Sequence, residues 1–260
     1  MNSERPIAIV GAGSIGVAWA LVFSMAGFPV RLQDPDAGRR AAAPAEIAGK
    51  AGALIAAGLL GEPVEAVMAR VAIADTLDAA LVGARHVQEN APEQVAVKQA
   101  LFREFARLAP SDATLASSSS AIPASAFAPE GEGRTRCLVV HPGNPPFLLR
   151  VVEVVPAPFT DPAAADAVQA LLAEAGMQPV RVHKEVEGFV FNRLQGAVLR
   201  EAYCLVRDGV IAPGDLDLIV TEGLGLRWSV IGPFETADLN TRGGIASHAA
   251  KMGPAYARMG

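Results

Sequence analysis

Pro6-Ile-Ala-Ile-Val-Gly-Ala-Gly-Ser-Ile-Gly16 is the stretch whose reading decides the fold. A short apolar run of strand character passes directly into GxGxxG, and an apolar stretch with helical spacing continues through Met25. In that strand-turn-helix context each glycine has its own task. Gly11 permits the tight turn, Gly13 lets the backbone approach a pyrophosphate with no side chain in the way, and Gly16 lets the helix lie close on the sheet. The free N–H groups of the helix start at Ser14, Ile15 and Gly16, with the positive end of the helix dipole, are expected to face the phosphates.

The neighbouring segments extend this reading. A second strand, Pro29 to Gln33, ends at Asp34, 23 residues after Gly11, where a ribose-binding acid belongs. A carboxylate there accepts from the 2′-hydroxyl and repels a 2′-phosphate, so NAD is expected rather than NADP, with Arg39 and Arg40 the residues that speak against it. Ala41 to Arg70 is alanine-rich and broken at Gly58 to Pro63, which predicts a helical hairpin inserted into the α/β pattern. Strand runs then alternate with helical stretches at Val71 to Ile73, Arg85 to Gln88, Thr114 to Ala116, Cys137 to Val140, Val151 to Val155 and Pro179 to Val182. The fold class expected is therefore α/β: a Rossmann-type, doubly wound, mostly parallel sheet with the hairpin insertion. From Gly188 onward the spacing is helical, Asp208-Gly209 stops the first helix, and Pro213 and Pro233 each open another. The boundary is placed near Val186, giving a nucleotide-binding domain over 1–186 and an all-α substrate and dimerisation domain over 187–260.

Composition removes several classes of function. A net charge of −5 without long Lys/Arg runs argues against nucleic-acid and polybasic membrane partners. The apolar stretch from Ile15 to Val30 is shorter than the about 20 residues a membrane span needs. Two cysteines, Cys137 and Cys204, have neither metal-ligand spacing nor a CxxC pattern, so a reducing compartment and no metal are expected. The sequence enters a strand pattern directly after MNSER, which predicts no leader and a cytoplasmic protein.

Ligands of doubly wound sheets bind beyond the carboxyl ends of the strands. Two post-strand segments, Glu89 to Glu93 and Ser117 to Ser120, are thus expected to flank the nicotinamide end of a dinucleotide. The second opens a stretch that gathers a serine cluster, His141, Asn144 and Glu153. Taken alone, His141 is as well read as a structural histidine at a strand end, Glu153 as an outward-facing strand residue, the serines as a loop or helix cap, and Asn192 as a cap of the first C-terminal helix. His86, His183 and His248 are read as structural or surface residues.

The ordered motifs GAGSIG (11–16), VQENAPE (87–93), ASSSS (116–120), HPGNPP (141–146), VEVVP (152–156), EGFVFNRLQ (187–195) and GLGLRWSVIGPFET (223–236) together resemble the L-3-hydroxyacyl-CoA dehydrogenase family, and within it the lambda-crystallin and L-gulonate 3-dehydrogenase branch. The resemblance implies that His141 is the catalytic histidine and Glu153 the carboxylate that holds it. It further implies that Ser120 is the catalytic serine, that Asn192 and Asn144 are the asparagines near the substrate oxygen and in the histidine loop, and that Glu93 and Lys98 lie near the cofactor. It also implies further helix beyond Gly260, so the last part of the C-terminal domain is expected to be missing or divergent.

Chemistry fits these roles. Oxidising a secondary alcohol requires a base for the hydroxyl proton while hydride leaves for the nicotinamide, and imidazole is suited to that work. A carboxylate on the far ring nitrogen fixes its tautomer, and Ser120 and Asn192 are placed as donors to the reacting oxygen. Acyl-CoA members of the family typically have aromatic or apolar residues after the histidine and a basic insertion. This chain has HPGNPP, and Lys50 is the sole basic residue between Ala41 and Ala69. A small L-3-hydroxy acid such as L-gulonate is therefore the expected substrate, with a hydroxyacyl-CoA or carnitine as the alternative enzymes and a crystallin-like NAD-binding structural protein or sensor as the non-enzyme reading. Arg227, beside Trp228, is the expected anchor for a substrate carboxylate, across a homodimer interface formed by the helical domain.

Overall fold

The computed structural model describes residues 4–259; Met1 to Ser3, on which the expectation about a leader partly rests, and Gly260 lie outside the described residues. The chain forms two compact units, the first running to Arg193 and the second starting at Leu194.

The first unit is built on one eight-stranded sheet. Its strands are β1 (Ile7–Val10), β2 (Val30–Gln33), β3 (Val71–Ile73), β4 (His86–Glu89), β5 (Thr114–Ser117), β6 (Cys137–Pro142), β7 (Val151–Pro156) and β8 (Gln178–Arg181), in the spatial order 3-2-1-4-5-6-7-8. Pairings from β3 through β6 are parallel, β6 and β7 are antiparallel, and β7 and β8 are parallel again. The reversal has a simple cause. Residues 143–150 are too few for a crossover, which takes about a dozen residues, so β7 has to fold back as a hairpin.

Helices cover both faces. Ile7 and Ile9 point into a core formed with α1 (Ser14–Met25), α2 (Ala37–Ala56) and α7 (Pro162–Glu174), where Trp19, Phe23, Leu54 and Leu172 are buried. Ala8 and Val10 point into the opposite core, filled by α4 (Leu77–Leu81), α5 (Val95–Leu108) and α6 (Ala124–Phe127) through Leu81, Phe102, Phe105 and Phe127. The period-2 alternation of a strand thus feeds two cores. α1 is apolar nearly all round and buried along most of its length, as a helix between a sheet and a second helical layer requires. The expected hairpin insertion is α2 with α3 (Val64–Met68); it begins at Ala37 because the Asp36 side chain accepts from the Arg39 amide and caps it.

The helix α8 (Phe191–Arg207) leads into the second unit, which also contains α9 (Pro213–Ile219), a π-helical turn (Val220–Gly225), α10 (Leu226–Trp228), α11 (Pro233–Leu239) and α12 (Gly244–Met259). Pro213 and Pro233 occupy the first helical positions. Many large apolar side chains of this unit are exposed, among them Tyr203, Leu226, Val230 at 81% and Phe234 at 77%. An apolar groove of about 520 Å³ runs between α8, α9 and the π-helical turn, lined by Val198, Leu199, Tyr203 and Leu216. No helix among the described residues is long and apolar enough to cross a membrane.

Candidate active site

The nucleotide end is shaped by glycine. Gly11 has φ +97°, and a Cβ on it would stand 2.8 Å from the backbone of Asn90; a Cβ on Gly16 would stand 1.8 Å from the Gly11 carbonyl oxygen. The β1–α1 turn, the post-β4 segment and the helix start are thus packed backbone to backbone. A Cβ on Gly13 would meet nothing within 4 Å. Gly13 opens into a cavity of about 840 Å³, which is also lined by Asp34, Arg39, Asn90, Leu77 and Leu101.

Asp34 accepts from the Ala12 amide (2.7 Å) through one oxygen and from the Asp36 amide (2.9 Å) through the other. A carboxylate so held keeps further lone pairs for ribose hydroxyls. The guanidinium of Arg39 donates to the Ala12 carbonyl (2.5 Å), and that of Arg40 donates to the carbonyls of Asp34 (2.8 Å) and Pro35 (3.2 Å). Both arginines therefore shape the acidic loop. An open backbone approach, a helix N-terminus and an acid at the end of β2 fit a dinucleotide of the NAD type.

At the other end, His141 and Glu153 are register partners across the antiparallel β6–β7 pair. They lie on the sheet face that carries Cys137, Val139 and Val155 into the core, and both are buried. His141 Nδ1 lies 2.8 Å from Glu153 Oε2. A carboxylate only accepts, so Nδ1 carries the proton and Nε2 keeps the lone pair. Glu153 Oε1 accepts from the backbone amides of Val190 (2.8 Å) and Phe191 (3.0 Å), at the start of α8. Burial pushes the Glu153 carboxyl up, but the His141 hydrogen bond and the two amides outweigh it and hold the group below the usual carboxylate range. The alternative of an outward-facing Glu153 does not apply. The rings of Phe189 and Phe191 flank His141, with centroids 5.6 and 6.3 Å away.

The serine cluster divides into buried and exposed members. Ser117 donates to Glu89 (2.5 Å) and accepts from Lys98 (3.2 Å). Ser118 accepts from Trp19 (3.0 Å) and Gln88 (2.7 Å) and donates to Asn90 (2.7 Å). Ser119 donates to Glu93 (2.5 Å), whose same oxygen accepts from the amides of Ser120 (3.0 Å) and Ala121 (3.1 Å). Ser120 is exposed, and its carbonyl accepts from the Asn192 side-chain amide (3.2 Å), which brings these two expected site residues together.

Lys98 is 1% exposed, with its ammonium 3.0 Å from Glu89 and 3.3 Å from Glu93. Burial raises the Glu89 carboxyl despite Lys98. For Glu93 burial is outweighed by Ser119, Lys98 and the loop amides, which lower it. Asn144 is exposed, next to the cis peptide bond to Pro145. Arg227 belongs to the second unit, exposed on α10.

Sequence reading missed the amides of Val190 and Phe191, the two phenylalanine rings, and the chain of buried polar groups along β4. That last signal was present in His86-Val-Gln-Glu89, three polar residues in a strand otherwise expected to be apolar, each of which needs a partner when buried. His86 has Thr114 (2.7 Å) and Gln88 (3.0 Å) on its two ring nitrogens, and burial lowers it to about 4.

Comparison with known proteins agrees with this architecture. Residues 6–186 match the 3-hydroxyacyl-CoA dehydrogenase NAD binding domain, and residues 188–259 match the C-terminal domain of the same family. A lambda-crystallin homolog from Bos taurus is 42% identical over 91% of this chain and 74% of its own length. An L-carnitine dehydrogenase from Streptomyces griseus is 38% identical over 96% of this chain and 74% of its own. Among solved structures, the NAD+-dependent 5-formyl-3-hydroxy-2-methylpyridine 4-carboxylic acid 5-dehydrogenase superposes with a TM-score of 0.85 at 31% identity, covering 98% of this chain and 81% of that one. NAD is the cofactor, and the chain belongs to the 3-hydroxyacyl-CoA dehydrogenase family, with lambda-crystallins among its relatives.

Proposed function

We propose that the protein oxidises the 3-hydroxyl of a small L-3-hydroxy acid such as L-gulonate to the 3-oxo acid. The observation that carries this reading is the buried His141–Glu153 pair, which leaves Nε2 of the imidazole as the nitrogen that takes the hydroxyl proton. Glu153 stays ionised, holds the ring tautomer and stabilises the imidazolium that forms. Asn192 and the Ser120 hydroxyl orient the substrate oxygen, and Glu93 and Lys98 serve the cofactor side by fixing the loop that carries Ser120. Bound NAD supplies the hydride acceptor.

A free acid is preferred to a CoA thioester because the α2–α3 insertion offers few cations. Lys50 there lies over the Phe147 ring (5.8 Å). Arg227 anchors the substrate carboxylate across a homodimer interface, for which the exposed apolar faces of the helical unit are the support. L-Carnitine is the second reading. It is itself a 3-hydroxy acid, and two relatives are L-carnitine dehydrogenases.

The test is NADH formation with L-gulonate, L-carnitine, L-3-hydroxybutyrate and its CoA thioester, run beside His141→Ala. Turnover of the free acids, abolished in the variant, is expected. Turnover of the thioester alone would overturn the substrate, an active His141→Ala would overturn the mechanism, and NADH binding without any turnover would favour a structural or sensor role.

A further inference from the structure

We infer that Phe189 is a positioning residue: its left-handed backbone and buried ring turn the amides of Val190 and Phe191 on to Glu153, so that one carboxylate sets both His141 and the helix turn bearing Asn192. The inference rests on the proposed roles of His141 and Asn192 and adds a residue to them.

Gly188 and Phe189 follow one another with φ of +72° and +49°. Glycine adopts that region freely, whereas a bulky side chain seldom does and stays there only when its surroundings over-determine it. Here they do. Phe189 is fully buried, packs in the core cluster that contains Val139, Val155 and Val182, and lies against the His141 ring with centroids 5.6 Å apart. Its own amide donates to the Val186 carbonyl at 3.1 Å and closes the turn.

Successive N–H groups after a left-handed residue form a concavity suited to an anion. In this chain the anion is Glu153 Oε1, 2.8 and 3.0 Å from the two amides, while Oε2 holds His141. The residue after those amides is Asn192, whose side chain reaches the Ser120 carbonyl at 3.2 Å. Base and oxygen donor come from segments far apart in sequence, and the Glu153 carboxylate is the bridge between them. An aromatic that merely fills the core would leave the two amides fastened when shortened to another apolar residue.

The experiment compares the wild type with Phe189→Ala and Phe189→Leu by hydrogen exchange at the Val190 and Phe191 amides and by steady-state kinetics. Phe189→Ala is expected to speed exchange at both amides by about tenfold or more, with exchange in β1 and β4 unchanged. It is also expected to lower kcat by about tenfold while the KM for NAD stays within about twofold. Phe189→Leu, which keeps part of the apolar anchor but loses the ring against His141, is expected to show smaller changes in the same direction, about threefold in exchange and in kcat. Unchanged exchange in Phe189→Ala overturns the inference, as does fast exchange with an unaltered kcat. If Phe189→Ala does not fold, Phe189→Leu and Phe189→Met carry the comparison, and wild-type exchange in both overturns it. The exchange arm needs no substrate, so an absence of hydroxy-acid turnover would count against the proposed reaction and leave the fastening of the amides to be read by itself.

Discussion

His141 and Glu153 stand directly opposite each other where the sheet turns antiparallel, so the bond between them at 2.8 Å is a cross-strand contact fixed by register. The two strands that carry them are buried on both faces, which leaves the pair little freedom to shift. Replacing Glu153 by Gln keeps an acceptor for the amides but removes the charge proposed to stabilise the imidazolium. Glu153→Gln is expected to lower kcat by about 10²-fold and His141→Gln by about 10³-fold, with NADH affinity retained, as steady-state kinetics and NADH titration would register.

The glycines of the first turn predict a contrast. Alanine at Gly16 would collide with the Gly11 carbonyl, so Gly16→Ala is expected to lower the melting temperature and cofactor affinity together. Alanine at Gly13 meets no protein atom and is expected to leave the melting temperature alone. It faces the open cavity proposed to take the pyrophosphate, and NADH affinity should fall by about tenfold or more.

Asp34→Asn tests the coenzyme preference. With the repulsion of a 2′-phosphate removed, the ratio of kcat/KM for NAD over NADP is expected to fall by about tenfold or more. Arg39 and Arg40 lie in the same loop region, and both donate to backbone carbonyls.

Lys98→Met is expected to destabilise the fold by about 3–5 kcal/mol, because it strands the buried Glu89 without a counter-charge. Glu89, already raised by burial, would be driven higher. Urea unfolding is the measurement, and the double change Lys98→Met with Glu89→Gln should recover part of the loss.

His86 makes stability pH-dependent. Its folded-state value of about 4 lies below the ordinary histidine value, so between the two the unfolded chain binds the extra proton. Stability is therefore full above the ordinary value and is lost on acidification from about pH 6.5 to about pH 4, by an amount on the order of 3 kcal/mol. His86→Asn, which cannot take up that proton, should flatten this part of the curve when unfolding is followed at pH 7 and pH 4.5.

The nucleotide half of the first unit was legible because its signals are local. Gly11 to Gly16, Asp34 and the strand and helix periodicities sit within short windows, and the eight strands were all placed from them. The reversal at β7 was legible in principle, since residues 143–150 leave no room for a crossover. Which residue faces which across the sheet was not. The role of Glu153 depends on register with His141 and on amides 37 and 38 positions away, and burial of Lys98 against Glu89 depends on how α5 lies over β4. Sequence spacing carries none of these distances. The serine cluster shows the same limit: its residues are adjacent in sequence, yet Ser117 and Ser118 tie the core together while Ser120 stands exposed.

The β6–β7 hairpin keeps His141 and Glu153 in the strands and leaves the link between them, 143–150, outside the sheet. Leu148, Leu149 and Arg150 are exposed there. Changes of length or composition in that link would redraw the protein surface there while His141 and Glu153 keep their register. A change confined to Leu148 to Arg150 is therefore expected to leave the 2.8 Å contact between His141 and Glu153 as it is.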